Sequence, residues 1–280
     1  MDWERDLPGW SLPETSQRII NGPHRWHVQI MGSGPDLLLL PGACASTHTW
    51  RALIPDLAKT HRVIAPDLPG QGFTQSPNAA RSGLTEMVED LTALAKSEGW
   101  QPVAIIGHSA GAALALRLSH TLGTEKIIGI NPALDNFDGL AGWLFPLLAK
   151  LLAANPFTAN VFSFAATTTR ARRLIEGTGS RIDDASLAYY TRLTGDRAHV
   201  NGALQMMARW SLDELLEDLP NIKADILFLT GTNDKAVPPD VADRAVARLP
   251  KATVHHLDGL GHLAHEEDPD RILREIRAFL

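Results

Sequence analysis

The pentapeptide Gly107-His108-Ser109-Ala110-Gly111 constrains this chain more than any other stretch, because of what stands on either side of it. The apolar run Val103-Ala104-Ile105-Ile106 precedes it, and a helix-forming run from Ala112 to Leu118 follows. That order predicts strand, tight turn, helix. A serine at such a turn sits in strained backbone geometry, so its neighbours must be small enough for strand and helix to close on each other. Gly107 and Gly111 meet that need. The hydroxyl of Ser109 then projects from the top of a sheet, and the amide of Ala110 lies at a helix N-terminus, where donors and dipole favour negative charge. Because G-x-S-x-G also arises by chance in long chains, its flanking elements and downstream partners must carry the reading.

Apolar, β-prone runs alternate with helical patterns through most of the chain, the mark of a mostly parallel central sheet flanked by helices. Strands are predicted near Trp26 to Ile30, Leu37 to Leu40, Arg62 to Ala65, Val103 to Ile106, Lys126 to Ile130, Ile226 to Thr230 and Thr253 to Leu257. Between residues 133 and 219 helical apolar patterns appear without a convincing strand. The chain therefore divides into an α/β core of residues 1–132 and 220–280 and an inserted helical cap of residues 133–219. Trp143, Phe145, Leu148 and Phe162 in that cap are candidates for lining a pocket for a large apolar substrate or touching a membrane surface. Ordinary packing of helices on a sheet accounts for the same apolar density.

A chain of 280 residues, 44% hydrophobic, can bury a full core. Its formal charge of -6, with no long run of Lys and Arg, argues against nucleic acid as a partner. The single cysteine, Cys44, rules out an intramolecular disulfide and a thiolate metal cluster, and fits a reducing cytoplasm. The acidic start Met1-Asp2-Trp3-Glu4-Arg5-Asp6 lacks the basic and apolar regions of a secretory signal. Pro146, Lys150, Asn155, Pro156 and Asn160 interrupt the most apolar stretch well short of a span of ~20 residues. The expectation is a cytoplasmic protein without a transmembrane segment, peripheral membrane contact through the cap being the alternative.

A serine hydroxyl is a poor nucleophile at neutral pH and needs a neutral imidazole, itself oriented by a carboxylate. In Ile226-Leu227-Phe228-Leu229-Thr230-Gly231-Thr232-Asn233-Asp234 a carboxylate emerges just past a buried strand, level with the serine if the strands are parallel. Asp234 is the candidate acid. Turn capping is its plainer role, and Asp135, after the preceding strand, competes for the position. Among eleven histidines, His262 lies in the glycine-rich turn Gly259-Leu260-Gly261-His262 after the last predicted strand and is the candidate base. His255 and His256 fall within that strand, one of them expected to point into packed structure, and His265 is expected to be structural. The order Ser, Asp, His is that of α/β-hydrolases.

A second oxyanion donor is expected from the loop Pro41-Gly42-Ala43-Cys44-Ala45-Ser46, where Gly42 allows close approach and Ala43 supplies the amide beside that of Ala110. Cys44 lacks an evident base of its own. The turn Asp67-Leu68-Pro69-Gly70-Gln71-Gly72 is expected to shape the scaffold. His255, His256, His262 and His265 sit on different predicted elements, so no metal site is expected. Gly-rich phosphate cradles are absent, so no cofactor is expected either.

Elbow, acid loop and histidine turn together resemble the α/β-hydrolase superfamily along nearly the whole chain. A narrower resemblance rests on Arg25-Trp26-His27-Val28-Gln29, Ala45-Ser46-Thr47-His48-Thr49-Trp50-Arg51, Gly107-His108-Ser109-Ala110-Gly111-Ala112-Ala113, Gln205-Met206-Met207-Ala208-Arg209-Trp210 and Gly259-Leu260-Gly261-His262-Leu263-Ala264-His265-Glu266-Glu267. These stretches look like the magnesium-chelatase accessory proteins of bacteriochlorophyll biosynthesis. The resemblance implies a role in photosynthetic pigment synthesis around magnesium insertion into protoporphyrin IX. One position departs from the superfamily: Pro41 stands where a histidine commonly braces the oxyanion loop, while the glycine and the following amide are kept. Two main readings follow, a serine hydrolase acting on an ester or related acyl bond, and a non-catalytic accessory protein that binds a tetrapyrrole or magnesium chelatase. A general carboxylesterase unrelated to pigment is a third.

Overall fold

Alternation within the apolar runs decides the layers. Successive side chains of a strand point to opposite faces, and in Leu37-Leu38-Leu39-Leu40 the even pair joins one core cluster while the odd pair joins the other. Both faces of this strand are therefore buried, which a continuous apolar run requires and a half-exposed strand would not allow.

The computed structural model describes residues 1–135, 158–164 and 166–280, with the side chains of Val161 and Phe162 outside that description. The described residues form one eight-stranded sheet of β1 (Ser16–Asn21), β2 (His24–Met31), β3 (Asp36–Leu40), β4 (Arg62–Pro66), β5 (Pro102–His108), β6 (Lys126–Ile130), β7 (Asp225–Gly231) and β8 (Ala252–Leu257). Their spatial order is β1-β2-β4-β3-β5-β6-β7-β8. β1 and β2 pair antiparallel, as do β2 and β4, and the remaining pairs are parallel. The seven expected strands are present, and β1 is an addition. Its sequence, Ser-Gln-Arg-Ile-Ile-Asn, is half exposed at the sheet edge, so it lacks the buried run by which its neighbours are recognised.

Helices α1 (Leu84–Ser97) and α2 (Ala110–Leu122) cover one face, and their buried residues share a cluster with Trp26, Leu38 and Ile105. Between β6 and β7 the described residues form helices and no strand: α3 (Thr158–Phe164), α4 (Thr168–Gly177), α5 (Asp184–Gly195) and α6 (Arg197–Arg209), followed by a short turn of helix at Asp213–Asp218. Helix α7 (Asp240–Val246) joins the first face, and α8 (Pro269–Phe279) packs Ile272, Leu273 and Ile276 on the second with Leu37 and Leu39. Asp268 caps α8 by accepting from the amide of Arg271 at 3.0 Å, and Pro269 suits its first turn. No helix among the described residues is long and apolar enough to cross a membrane.

Chain connectivity reverses around β3, which pairs with β4 on one side and β5 on the other. In open α/β sheets such a switch point leaves a crevice at the carboxyl ends of the strands. The Gly107–Gly111 turn and the loop after Leu40 both open there. A Cβ added at Gly111 would stand 2.1 Å from the Leu40 carbonyl oxygen, and one at Gly107 would stand 2.3 Å from that of Gly111. Backbone lies on the far side in each case and has nowhere to go.

Helix α6 is seated on the loop after β4. The buried His199 accepts at Nδ1 from the amide of Gly72 at 3.0 Å, and a Cβ at Gly202 would meet the carbonyl oxygen of Gly70 at 1.9 Å. Burial holds the His199 imidazole down to about 4, outweighing the carboxylates of Asp196 and Asp67. His265 is held down to about 3, again by burial first and then by His262 and Arg51.

Two outcomes follow from this packing. Gly111→Ala should destabilise the fold by about 3 kcal/mol or more, at the upper end of overpacking costs, read as a lower denaturation midpoint. Acid should also weaken the fold through His199. The unfolded imidazole titrates near ~6.5 and the folded one lower, so its contribution is complete above that value and lost as pH falls towards 4. The unfolded chain takes up a proton that the folded one refuses, worth roughly 3 kcal/mol over that window. Urea unfolding at pH 7 and pH 4.5 measures the loss, and His199→Gln, which keeps an acceptor for Gly72, should flatten it; an unchanged slope would refute the assignment.

Candidate active site

Strain marks the elbow. Ser109 has φ 53° and ψ -118°, outside the regions an ordinary residue prefers, and it precedes the first turn of α2. Its amide donates to the Ile130 carbonyl at 2.9 Å and its own carbonyl accepts from Ala112 at 3.0 Å and from Ala133 at 3.2 Å. The end of β6 thus grips the strained residue from both sides. Ser109 remains partly accessible, while Ala110 behind it is buried at the start of the helix.

Asp234 and His262 meet. The Nδ1 of His262 lies 2.7 Å from Oδ2 of Asp234, whose side chain is fully shielded from solvent. The other carboxylate oxygen accepts from the amides of Ala236 and Val237, each at 2.8 Å. With one oxygen tied to its own loop, the carboxylate presents the second to the imidazole in a fixed direction and selects the tautomer with hydrogen on Nδ1. The far nitrogen of His262 is then the basic one. His108, inside the elbow, donates from Nε2 to the His262 carbonyl at 2.9 Å, and the two rings lie 4.8 Å apart. Burial keeps His108 well below the usual imidazole range, consistent with a neutral ring carrying its hydrogen on Nε2.

Asp135, the competing acid, is committed elsewhere: it forms an ion pair with Arg244. His265 is buried and hydrogen-bonds through Nε2 to Thr49 Oγ1 at 2.7 Å, the structural place expected of it. The expectation for the preceding pair needs correction. Neither His255 nor His256 points into packed structure. Both are exposed on β8, the last strand of the sheet, where His255 reaches Glu275 and His256 reaches Asp243. An edge strand exposes side chains that an apolar neighbour sequence alone would assign to the interior.

The loop after β3 lies against the serine. A Cβ at Gly42 would stand 3.1 Å from Cβ of Ser109 and 2.9 Å from Nδ1 of His108, so only glycine lets this loop approach so closely. Ala43 follows it, partly buried against the first core cluster. Two residues that the sequence reading left as scaffold hold this loop where Pro41 offers no side-chain donor. Gln71, fully buried, accepts from the amide of Cys44 at 2.7 Å and turns its Nε2 to Sδ of Met206 on α6 at 3.1 Å. Asp67, also fully buried, accepts from the Ser46 hydroxyl and from the Thr47 amide at 2.7 Å through one oxygen. Its other oxygen meets His27 Nδ1 at 2.7 Å and the Phe73 amide at 2.8 Å. Despite complete burial these partners, His27 first, hold the Asp67 carboxyl below the ordinary range. No motif spacing announces either residue. Burial instead pushes the Cys44 thiol up to about 11, which leaves little thiolate at neutral pH.

A buried polar cluster joins α5 to the histidine turn. Glu266 accepts from the Tyr190 hydroxyl at 2.5 Å, from Thr49 Oγ1 at 2.7 Å and from Arg51 Nη1 at 2.6 Å. Ser180 Oγ accepts from the amide of Leu263 at 2.7 Å, directly after His262. Trp143, Phe145 and Leu148 lie outside the described residues; Phe162 falls on α3, with its side chain outside the description.

The relationships of the chain agree with this geometry. An alpha/beta hydrolase family model matches residues 37–275. The chain is 45% identical over 270 residues to the magnesium-chelatase 30 kDa subunit of Rhodobacter capsulatus, with 95% of each chain covered. It is 24% identical over 280 residues to 2-hydroxy-6-oxo-2,4-heptadienoate hydrolase of Pseudomonas putida, covering 95% of this chain and 96% of the relative. Among solved structures it is similar to the epoxide hydrolase CorEH, with a TM-score of 0.81 at 21% identity over 95% of this chain and 98% of that one. A family match that takes in β4 to β8, the elbow and the histidine turn leaves one assignment: the chain belongs to the alpha/beta hydrolase family.

Proposed function

We propose that the protein is a serine hydrolase acting on an ester or related acyl bond of an apolar substrate. The observation that carries the reading is the 2.7 Å contact of His262 Nδ1 with a buried Asp234, together with a serine strained onto the N-terminus of α2 next in the chain to His108, which reaches the His262 carbonyl. In this reading Ser109 Oγ attacks the acyl carbon and passes its proton to Nε2 of His262. Asp234 orients the ring and stabilises the imidazolium that forms. The amides of Ala43 and Ala110 donate to the oxyanion. His262 returns the proton to the leaving alkoxide, and a water molecule, activated by the same imidazole, then cleaves the acyl-enzyme and regenerates Ser109. Residues 133–219 act as a cap over the crevice, with Trp143, Phe145, Leu148 and Phe162 facing the apolar part of the substrate.

The setting we propose is bacteriochlorophyll synthesis, near the magnesium-chelatase step. The 45% identity to a protein named as a subunit of magnesium chelatase supports it. The same identity favours a second reading, in which the protein serves the chelatase as an accessory, holding a tetrapyrrole or contacting the enzyme without turning over an ester.

A fluorophosphonate probe separates the two, because it reports an activated serine whatever the substrate. Under the first reading the wild type labels, Ser109→Ala does not, and His262→Ala labels slowly. Ester turnover should fall with Ser109→Ala by up to ~10⁶. Labelling that survives in Ser109→Ala would sink the assignment. Under the second, Ser109→Ala sustains pigment formation, and both proteins bind magnesium protoporphyrin or chelatase alike.

A further inference from the structure

The turn leaving β6 touches Ser109 and His262 and reaches the loop of Asp234 through Gly231. Ile130 and Ala133 hold the backbone of Ser109 on its two sides. Between them stands Asn131, 1% exposed, with φ 44°. That left-handed backbone is uncommon for anything but glycine, and asparagine is among the few residues enriched there. The geometry aims its side chain across the ends of β7 and the histidine turn. Oδ1 accepts from the amide of Gly231 at 2.7 Å. Nδ2 donates to the carbonyls of Gly261 at 3.0 Å and His262 at 2.7 Å. Gly231 opens the loop of Asp234, and its carbonyl accepts from the Asp234 amide at 3.1 Å. One carboxamide thus joins the loop that carries the acid to the turn that carries the base.

We infer that Asn131 is a positioning residue, which sets Asp234 and His262 against each other and both against Ser109. This rests on the reading of Asp234 and His262 as orienting acid and base, though not on any turnover by Ser109. The chemistry required at this point is narrow. The site needs an acceptor on one side and two hydrogens on the other, from a residue that tolerates a left-handed backbone, and asparagine alone among the short side chains supplies all three. Aspartate keeps the acceptor but turns a negative charge on two carbonyl oxygens. Leucine has nearly the same shape and leaves one buried N–H without its partner and takes a donor from both carbonyls. His108 gives the His262 carbonyl a second donor but makes no link to the acid loop.

The test uses the full chain and reads His262 directly by NMR, its signals assigned by their loss in His262→Ala, with circular dichroism confirming that each variant is folded. In Asn131→Asp the added carboxylate favours the imidazolium, so the titration midpoint of His262 should rise by about half a unit or more. In Asn131→Leu the low-field proton shared by His262 Nδ1 and Asp234 should broaden or vanish as the turn loosens, and the midpoint should fall. A role in folding alone would lower thermal stability and leave the low-field proton of Asn131→Leu where it was. A folded Asn131→Leu that keeps the low-field proton and labels at the wild-type rate would overturn the inference. Fluorophosphonate labelling is read in parallel: both variants should label 10- to 100-fold more slowly than the wild type, as expected when a supporting contact is lost. Should the wild type fail to label while His262 responds as described, the hydrolase reading fails and the positioning role of Asn131 stands.

Discussion

The close approach of α2 to β5 and to the end of β3 is the constraint on which the rest depends. Neither Gly107 nor Gly111 can carry a Cβ without striking main-chain atoms. Because helix and strand meet so tightly, the residue between them has to leave the strand with a positive φ, and the turn then holds the hydroxyl of Ser109 out over the crevice. Strain of this kind persists only where surrounding structure over-determines it. Here the hydrogen bonds that Ser109 gives to the Ile130 carbonyl and takes from the Ala133 amide supply that determination, so the geometry of the elbow is a property of β5, α2 and β6 together.

A second dependence runs from the loop after β4. The loop after β3 carries Pro41, which offers no side-chain donor, yet the loop is held. Gln71 and Asp67 reach it from below, both fully buried and both hydrogen-bonded on more than one side. Buried polar groups are costly when unpaired and rigid when satisfied. Since Gln71 also contacts Met206, and Gly72 contacts His199, the loop that holds the segment after β3 is the one on which α6 rests.

Sequence reading reached the residues that lie at the carboxyl ends of strands, and physics explains why. Ser109 and Asp234 each follow a buried apolar run by a few residues, and His262 lies in a glycine-rich turn after the last strand, so strand and turn signals locate them without knowledge of tertiary contacts. The parallel order of β5, β6, β7 and β8 then brings them level. Asn131, Gln71 and Asp67 carry no such signal. Each is a polar residue in an ordinary turn, and its importance comes from burial by segments tens of residues away. The strand β1 escaped for the opposite reason, since an edge strand needs no continuous apolar face. His255 and His256 were expected half inside because the run around them resembles a central strand, whereas β8 ends the sheet and leaves both rings in solvent.

The attachment of the helical segment bears on how the crevice can work. Arg51, Glu266 and Tyr190 form a charged cluster whose carboxylate is wholly buried, and burial raises the Glu266 carboxyl against the pull of Arg51. Lifting Tyr190 away leaves the Arg51–Glu266 pair in place but takes one donor from a buried carboxylate, at a cost of about 1–3 kcal/mol. Helix α5 supplies Tyr190, and α6 is held at Gly70 and Gly72 by contacts with no spare volume. A motion that lifted α5 and α6 from the core would have to break both attachments at once. These two helices are therefore tied to the core at two separate places, one beside the histidine turn and one on the loop after β4.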